Sequence, residues 1–141
     1  MIEESLNSGI NICPLGWHVP TNSELTDLIF YLDPNVIGDF DNIAGGQLKT
    51  TGDIASGTGA WESPNTGATN SSGFSLLPSG GRVSTNGEFN SLGFSTRLWS
   101  TNESSNSNSA LTILQHHNRN EVWINSESIK GIGACIRCIK D

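Results

Sequence analysis

One segment of this chain carries the spacing of an amphipathic helix, and nothing after it does so at comparable length. Thr21 followed three residues later by Glu24 is a capping box, and Leu25, Leu28, Ile29 and Leu32 recur at i, i+3, i+4 and i+7. Asp33-Pro34 ends the pattern, because proline disfavours helical geometry at the residue before it. A shorter helix or turn is expected over Ile43 to Thr50, weakened by Gly45-Gly46. Beyond it the chain turns small and polar: Ser, Thr, Asn and Gly make up 61 of the 141 residues, and charged residues only 15% against about 25% in ordinary globular domains. That excludes helical bundles and coiled coils, which draw on Ala, Glu, Lys, Leu and Arg. Gly52 to Ser72 reads as a long ordered loop around a lone Trp61. Short strands are expected at Phe74 to Leu77, Gly81 to Ser84, Thr96 to Thr101, Ala110 to Gln115, Val122 to Asn125 and Ala134 to Ile139, with a hairpin signal at Asn86-Gly87. The fold class expected is α+β, as a single domain over 1–141.

The net charge of −7 leaves seven scattered Lys and Arg, too few for the clustered phosphate contacts of a nucleic-acid binder. The longest apolar run, Leu28 to Leu32, is far short of the roughly 20 residues of a membrane span, so no membrane insertion is expected. Met1-Ile2-Glu3-Glu4 has neither the basic nor the apolar region of a secretory signal, so export would rest on a signal lost from this sequence or on another route.

Cys13, Cys135 and Cys138 allow three single-bridge pairings. Cys135-x-x-Cys138 could suggest a redox or zinc motif, but it lies in an alternating, isoleucine-rich stretch. On a strand, residues three apart point to opposite faces. A bridge from Cys13 to Cys138 would instead tie the two ends together and leave Cys135 as the odd thiol.

The blocks CPLGWHVPT at 13–21, GGQLKT at 45–50, SPNTGATNSSGFSLLPSGGR at 63–82, LWSTNE at 98–103 and GACIRCIKD at 133–141 resemble the Fibrobacter succinogenes major paralogous domain. The blocks follow that family's order over nearly the whole chain. The resemblance implies an extracellular bacterial module with a C-type lectin-like fold, one or two helices on mostly antiparallel short strands, and paired N- and C-terminal strands. It agrees with a Cys13–Cys138 bridge. Cys135 stands where serine is commoner, and Leu98 where a tryptophan often precedes Trp99.

Fold does not decide function, so sites are read from residues. A lectin-type calcium site needs an acid-Pro-Asn loop and a Trp-Asn-Asp strand. Glu62-Ser63-Pro64-Asn65 carries an extra residue and Trp123-Ile124-Asn125 lacks the acid. Asp39, Asp41, Asn42 and Asp53 could hold a structural calcium but lack regular spacing, so no cofactor is the expectation. His18 is expected to be a buried structural histidine with no carboxylate near it in sequence, and Trp17, Trp61 and Trp99 to be core. The polar turn of His116, His117, Asn118, Arg119 and Asn120, beside Trp123 and Asn125, offers donors, acceptors and an aromatic face. Arg97, Asn102 and Glu103 complete the expected ligand face between Phe94 and Asn125.

No catalytic motif is present: no nucleophile elbow, phosphate loop or His-Glu-x-x-His. The expectation is a noncatalytic extracellular or cell-surface adhesion domain that binds a surface glycan or protein. Two other readings fit the same sequence. A ligand-binding protein diversified by a retroelement would be rich in Asn, Ser, His and Arg on this face, and a subunit of a surface filament or envelope layer could use Cys135 between molecules.

Overall fold

The computed structural model describes residues 12–38 and 40–141. Its larger sheet contains β2 (Ser79–Arg82), β3 (Phe89–Leu92), β4 (Ser95–Glu103), β5 (Ser109–His116) and β6 (Val122–Ile129), in the order β3-β2-β4-β5-β6. Only β2 and β4 run parallel. A second sheet pairs β1 (Trp17–His18) with β7 (Ile139–Lys140).

The first helix, α1 (Asn22–Leu32), forms where the spacing places it. Glu24 N donates to Thr21 Oγ1 at 3.2 Å and Thr21 N donates to Glu24 Oε2 at 2.8 Å, so both halves of the capping box are made. Its face of Leu25 and Ile29, with Leu28 and Leu32 beside them, packs on Leu98, Ile113, Val122 and Ile124 of the sheet. The second helix, α2 (Ala44–Leu48), adds Ala44 and Leu48 to the same core, and Trp61 is wholly buried there, its Nε1 donating to the Leu76 carbonyl.

The structure corrects the expected class. Among the described residues, seven strands in two sheets stand against helices of 11 and 5 residues, and 12% is helical, so the fold is mostly β rather than α+β, and the expected C-type lectin-like class is overturned. Both helices lie at the expected places but stay short. Asp33-Pro34 ends the first, and a glycine pair occupies the middle of the second. The strands, in contrast, outgrow their apolar cores. β4, β5 and β6 reach nine, eight and eight residues, because polar residues such as Ser95, Glu103, Ser109, Glu127 and Ser128 extend the ladders beyond the hydrophobic runs. Two strand expectations shrink instead. Phe74–Leu77 contributes a bridge from Leu76 to Lys49, and 134–138 contributes a bridge from Cys135 to Leu98 ahead of β7.

The two ends are clasped. Cys13 and Cys138 form a disulfide across 125 positions, and Trp17 and His18 pair in register with Lys140 and Ile139. Cys135 is the free thiol, donating to Ser79 Oγ at 2.9 Å. His18 is not buried as expected. Its ring nitrogens lie 2.6 Å from Asp141 and 3.0 Å from Glu24, two carboxylates that the fold brings in from the C-terminus and from α1. Trp17 is likewise 41% exposed rather than core, whereas Trp61 and Trp99 are buried.

These contacts give the clasp a pH window. Hydrogen bonds from the His18 ring to Asp141 and then to Glu24 raise the His18 pKa above 6.5, so its contribution is full below 6.5 and fades as pH rises through the raised value. Hydrogen bonds from Thr21 lower the Glu24 pKa below 4.5, so its contribution is full above 4.5 and fades as pH falls through the lowered value. The difference in Tm between the native domain and His18→Gln is therefore expected to peak between about pH 4.5 and 6.5 and to shrink toward pH 9. A pH-independent difference would contradict this.

Candidate functional site

The chain reverses between β5 and β6 at 117–121, and this turn is anchored from four directions. His117 N donates to the Phe94 carbonyl, Thr66 N to the His117 carbonyl and Gly46 N to the Asn120 carbonyl, tying the turn to the start of β4, to the long loop and to α2. The fourth anchor is Lys49. Its side chain is completely buried, and Nζ donates to the carbonyls of Thr66 at 2.8 Å, Arg119 at 2.9 Å, His117 at 3.1 Å and His116 at 3.4 Å. Gln115 Nε2 reinforces two of the same carbonyls, His116 and Arg119. Nζ also stands 5.5 Å from the centre of the Trp61 ring. Burial pushes the Lys49 pKa down to about 8 while the Glu121 carboxylate pulls it back up, so the ammonium is still charged at neutral pH.

The glycine pair that shortens α2 is what lets the turn approach it. A β-carbon on Gly46 would stand 2.2 Å from both Asn120 Oδ1 and the Gly67 carbonyl, and one on Gly45 would stand 2.1 Å from Gln115 Oε1. Helix propensity is given up here for backbone contact.

On the outer side of this anchored turn lies a row of rings. Trp123 meets Phe40 on one side and His116 on the other, both edge-to-face with centres 5.4 Å apart, and Phe94 meets His117 at 5.3 Å. Phe40 and Phe94 are exposed, and Trp123 and His116 half-buried. Burial lowers the His116 pKa, and the charges of Arg97, Arg119 and His117 lower it further, so at neutral pH it presents an uncharged imidazole with one donor and one acceptor. His117 lies with Nδ1 3.2 Å from the Glu62 carbonyl, which fixes its ring.

The ten expected ligand-face residues therefore divide. Register sets Arg97, Leu114 and Trp123 side by side across β4, β5 and β6, on the face away from the α1 core. His116, His117, Asn118 and Arg119 flank that row, with Asn118 and Arg119 exposed and Arg119 donating to Glu121. Asn120 turns inward against Gly46 and Gly67. Asn102 accepts from Asn22 N, and Asn125 accepts from the Asn22 side chain at the start of α1. Glu103 pairs with Lys130. Asn102 lies five positions beyond Arg97, about 16 Å along β4, so it and Glu103 belong to the other end of that strand, whereas Asn125 stands two positions after Trp123 and is bonded to α1.

The oxygen groups weighed for calcium also divide. Asn42 is buried, its amide bonded to the Val122 backbone on both sides and to Ala44 N. Asn65 donates to the carbonyls of Thr50 and Gly52, and Asp53 caps Ser56. Asp39 lies outside the described residues. Among the described residues no three His, Cys, Asp or Glu side chains are grouped to hold a metal ion, and no helix is long and apolar enough to cross a membrane.

Lys49 and Phe40 escape a sequence reading of the site, and Phe94 enters it only as the boundary of the expected face. Lys49 carries a faint signal, since it is a lone cation inside the Leu48-Lys49-Thr50 stretch. Phe40 and Phe94 are isolated aromatics whose neighbours come from distant strands.

Residues 3–140 match the family model described as the Fibrobacter succinogenes major domain. No curated protein and no solved structure matches the chain.

Proposed function

The chain belongs to the Fibrobacter succinogenes major domain family, and from that footing we propose a noncatalytic recognition domain that works outside the cell. Its ligand, a surface glycan or a protein, lies across the Phe40–Trp123–His116 row and the exposed tip at Asn118 and Arg119. The observation that carries this reading is the edge-to-face ring row beside a turn whose backbone carbonyls are gathered on one buried ammonium. Half-exposed rings supply apolar contact at little entropic cost, and the neutral imidazole, amide and guanidinium beside them supply directional hydrogen bonds. Rigid anchoring lowers the ordering cost of binding. The disulfide supports an oxidising compartment. Binding without calcium is part of the proposal, supported by the structural use of Asn42 and Asn65.

The test is a glycan and protein array probed with the oxidised domain, with calcium and with chelator. Specific, chelator-resistant binding is expected, weakened at least roughly tenfold by Trp123→Ala, as for an aromatic anchor at the centre of an interface. Asn22→Ala, at the start of α1, should leave it unchanged. Specific binding that survives Trp123→Ala would overturn the placement, and no binding to either class would overturn the function.

A further inference from the structure

A cavity of about 180 Å³ opens between the β2–β3 hairpin, β4 and the returning chain at 132–133. Arg82, Ser84, Asn90 and Arg97 contribute its polar lining and Ile132 an apolar one. No Asp or Glu lines it, although acidic residues outnumber Lys and Arg by 14 to 7 in the chain. Two of those seven cations therefore meet at one acid-free cleft.

Arg97 is the informative member. It is half-buried, and its Nε is shielded from solvent with no acceptor among the described residues. Desolvation works against its charge, yet a guanidinium does not shed its proton in a protein, so the cation persists, and among the described residues no carboxylate pairs with it. A shielded, unpaired donor of this kind costs free energy that an incoming acceptor would recover. Its backbone is held firmly, since the Arg97 carbonyl accepts from Cys135 N at 3.0 Å, and Arg82 exchanges both backbone hydrogen bonds with Gly133 at 2.9 Å. Glycine is required in the wall. Gly80 has φ +65°, and a β-carbon there would stand 2.2 Å from the Asn90 carbonyl. The volume falls below the roughly 300 Å³ at which pockets for whole drug-sized ligands begin, so the cleft suits one small charged group.

We propose that this cleft binds an oxyanion, a carboxylate or sulfate carried by a ligand, with Arg97 as its charge partner and Ser84 and Asn90 as neutral donors. The proposal stands whether or not the aromatic row binds anything. Arg97 and Trp123 nevertheless flank Leu114 on one sheet face, so a ligand long enough to span both would be an acidic one.

The test is a titration of the oxidised full chain at low ionic strength with sodium sulfate, sodium glucuronate and, as a neutral control, glucose, followed by the Arg97 Nε–H and the Gly81 and Gly133 amide resonances. A saturable shift with the anions and none with glucose is expected. A response to one anion alone would keep the site and assign it to that group. Ser84→Asp adds a carboxylate at the cleft without touching Arg97, and should weaken anion binding at least roughly tenfold while leaving Tm in place. Arg97→Gln should abolish the response. No saturable shift with either anion, a shift equal to that with glucose, or an unaltered response in Ser84→Asp would overturn the proposal.

Discussion

Replacing Lys49 with methionine is expected to lower the unfolding free energy by about 1.5–3 kcal/mol, the range for losing hydrogen bonds to a charged group when buried carbonyls are left behind. Methionine preserves the apolar stem, so the loss isolates the ammonium. Four backbone carbonyls gather on Nζ, and in the variant Gln115 Nε2 still serves His116 and Arg119 and Thr66 N still serves His117, while the Thr66 carbonyl loses its side-chain donor. The effect carries a pH signature. Because the folded value of about 8 lies below the unfolded value of 10.5, the unfolded chain binds more protons between them, and this group's contribution favours the fold increasingly as pH rises through that window. Chemical denaturation at pH 7 and pH 10 measures both. The gap between native and Lys49→Met should be large at the lower pH and larger at the higher. A loss under about 1 kcal/mol, within the range of a single ordinary hydrogen bond, would contradict the anchoring role.

Opening the Cys13–Cys138 bridge is expected to have a larger effect. The closed loop spans nearly the whole described chain, and the chain-entropy relation gives about 4–5 kcal/mol for a loop of this length. The bridge also supports β1 and β7, which are only two residues long each and could not hold one another as an isolated pair. Cys13→Ser with Cys138→Ser, compared with the oxidised domain by denaturant unfolding, should show this loss, with hydrogen exchange rising first at 16–18 and 139–141. Cys135→Ser should change little, since its thiol makes one hydrogen bond to Ser79. Equal stability with and without the bridge would contradict the account.

What the sequence reveals, and what it hides, follows interaction range. The α1 helix is legible because the Thr21–Glu24 cap and the Leu25–Leu32 spacing are local. The β2–β3 hairpin is legible in Asn86-Gly87, where Gly87 adopts φ +75°. The terminal bridge is legible from the cysteine positions together with the family resemblance. The balance of classes is not, since polar residues lengthen β4–β6 through cross-strand bonds such as Thr112 Oγ1 to the Ser126 carbonyl. His18 looks solitary in sequence because one of its carboxylates lies 123 residues away. The candidate site shows the same limit. The 116–120 turn and Trp123 stand out by composition, but Asn120 faces inward for steric reasons at Gly46 and Gly67 that no local pattern encodes. Lys49 reaches the turn from 70 residues upstream of Arg119.

The four tryptophans allow the central claim, that the Phe40–Trp123–His116 row and the turn beside it form the recognition face, to be tested in one spectrum. Trp61 is wholly buried in the core, Trp99 is buried in β4, Trp17 sits at the terminal clasp, and Trp123 stands in the ring row. Each gives its own indole N–H resonance. Titrating the strongest array ligand into labelled, oxidised domain is predicted to move the Trp123 signal with the amides of His116 to Arg119, leaving the signals of Trp17 and Trp61 in place. Movement of Trp17 without Trp123, or of the Asn22, Asn102 and Asn125 amides alone, would contradict it.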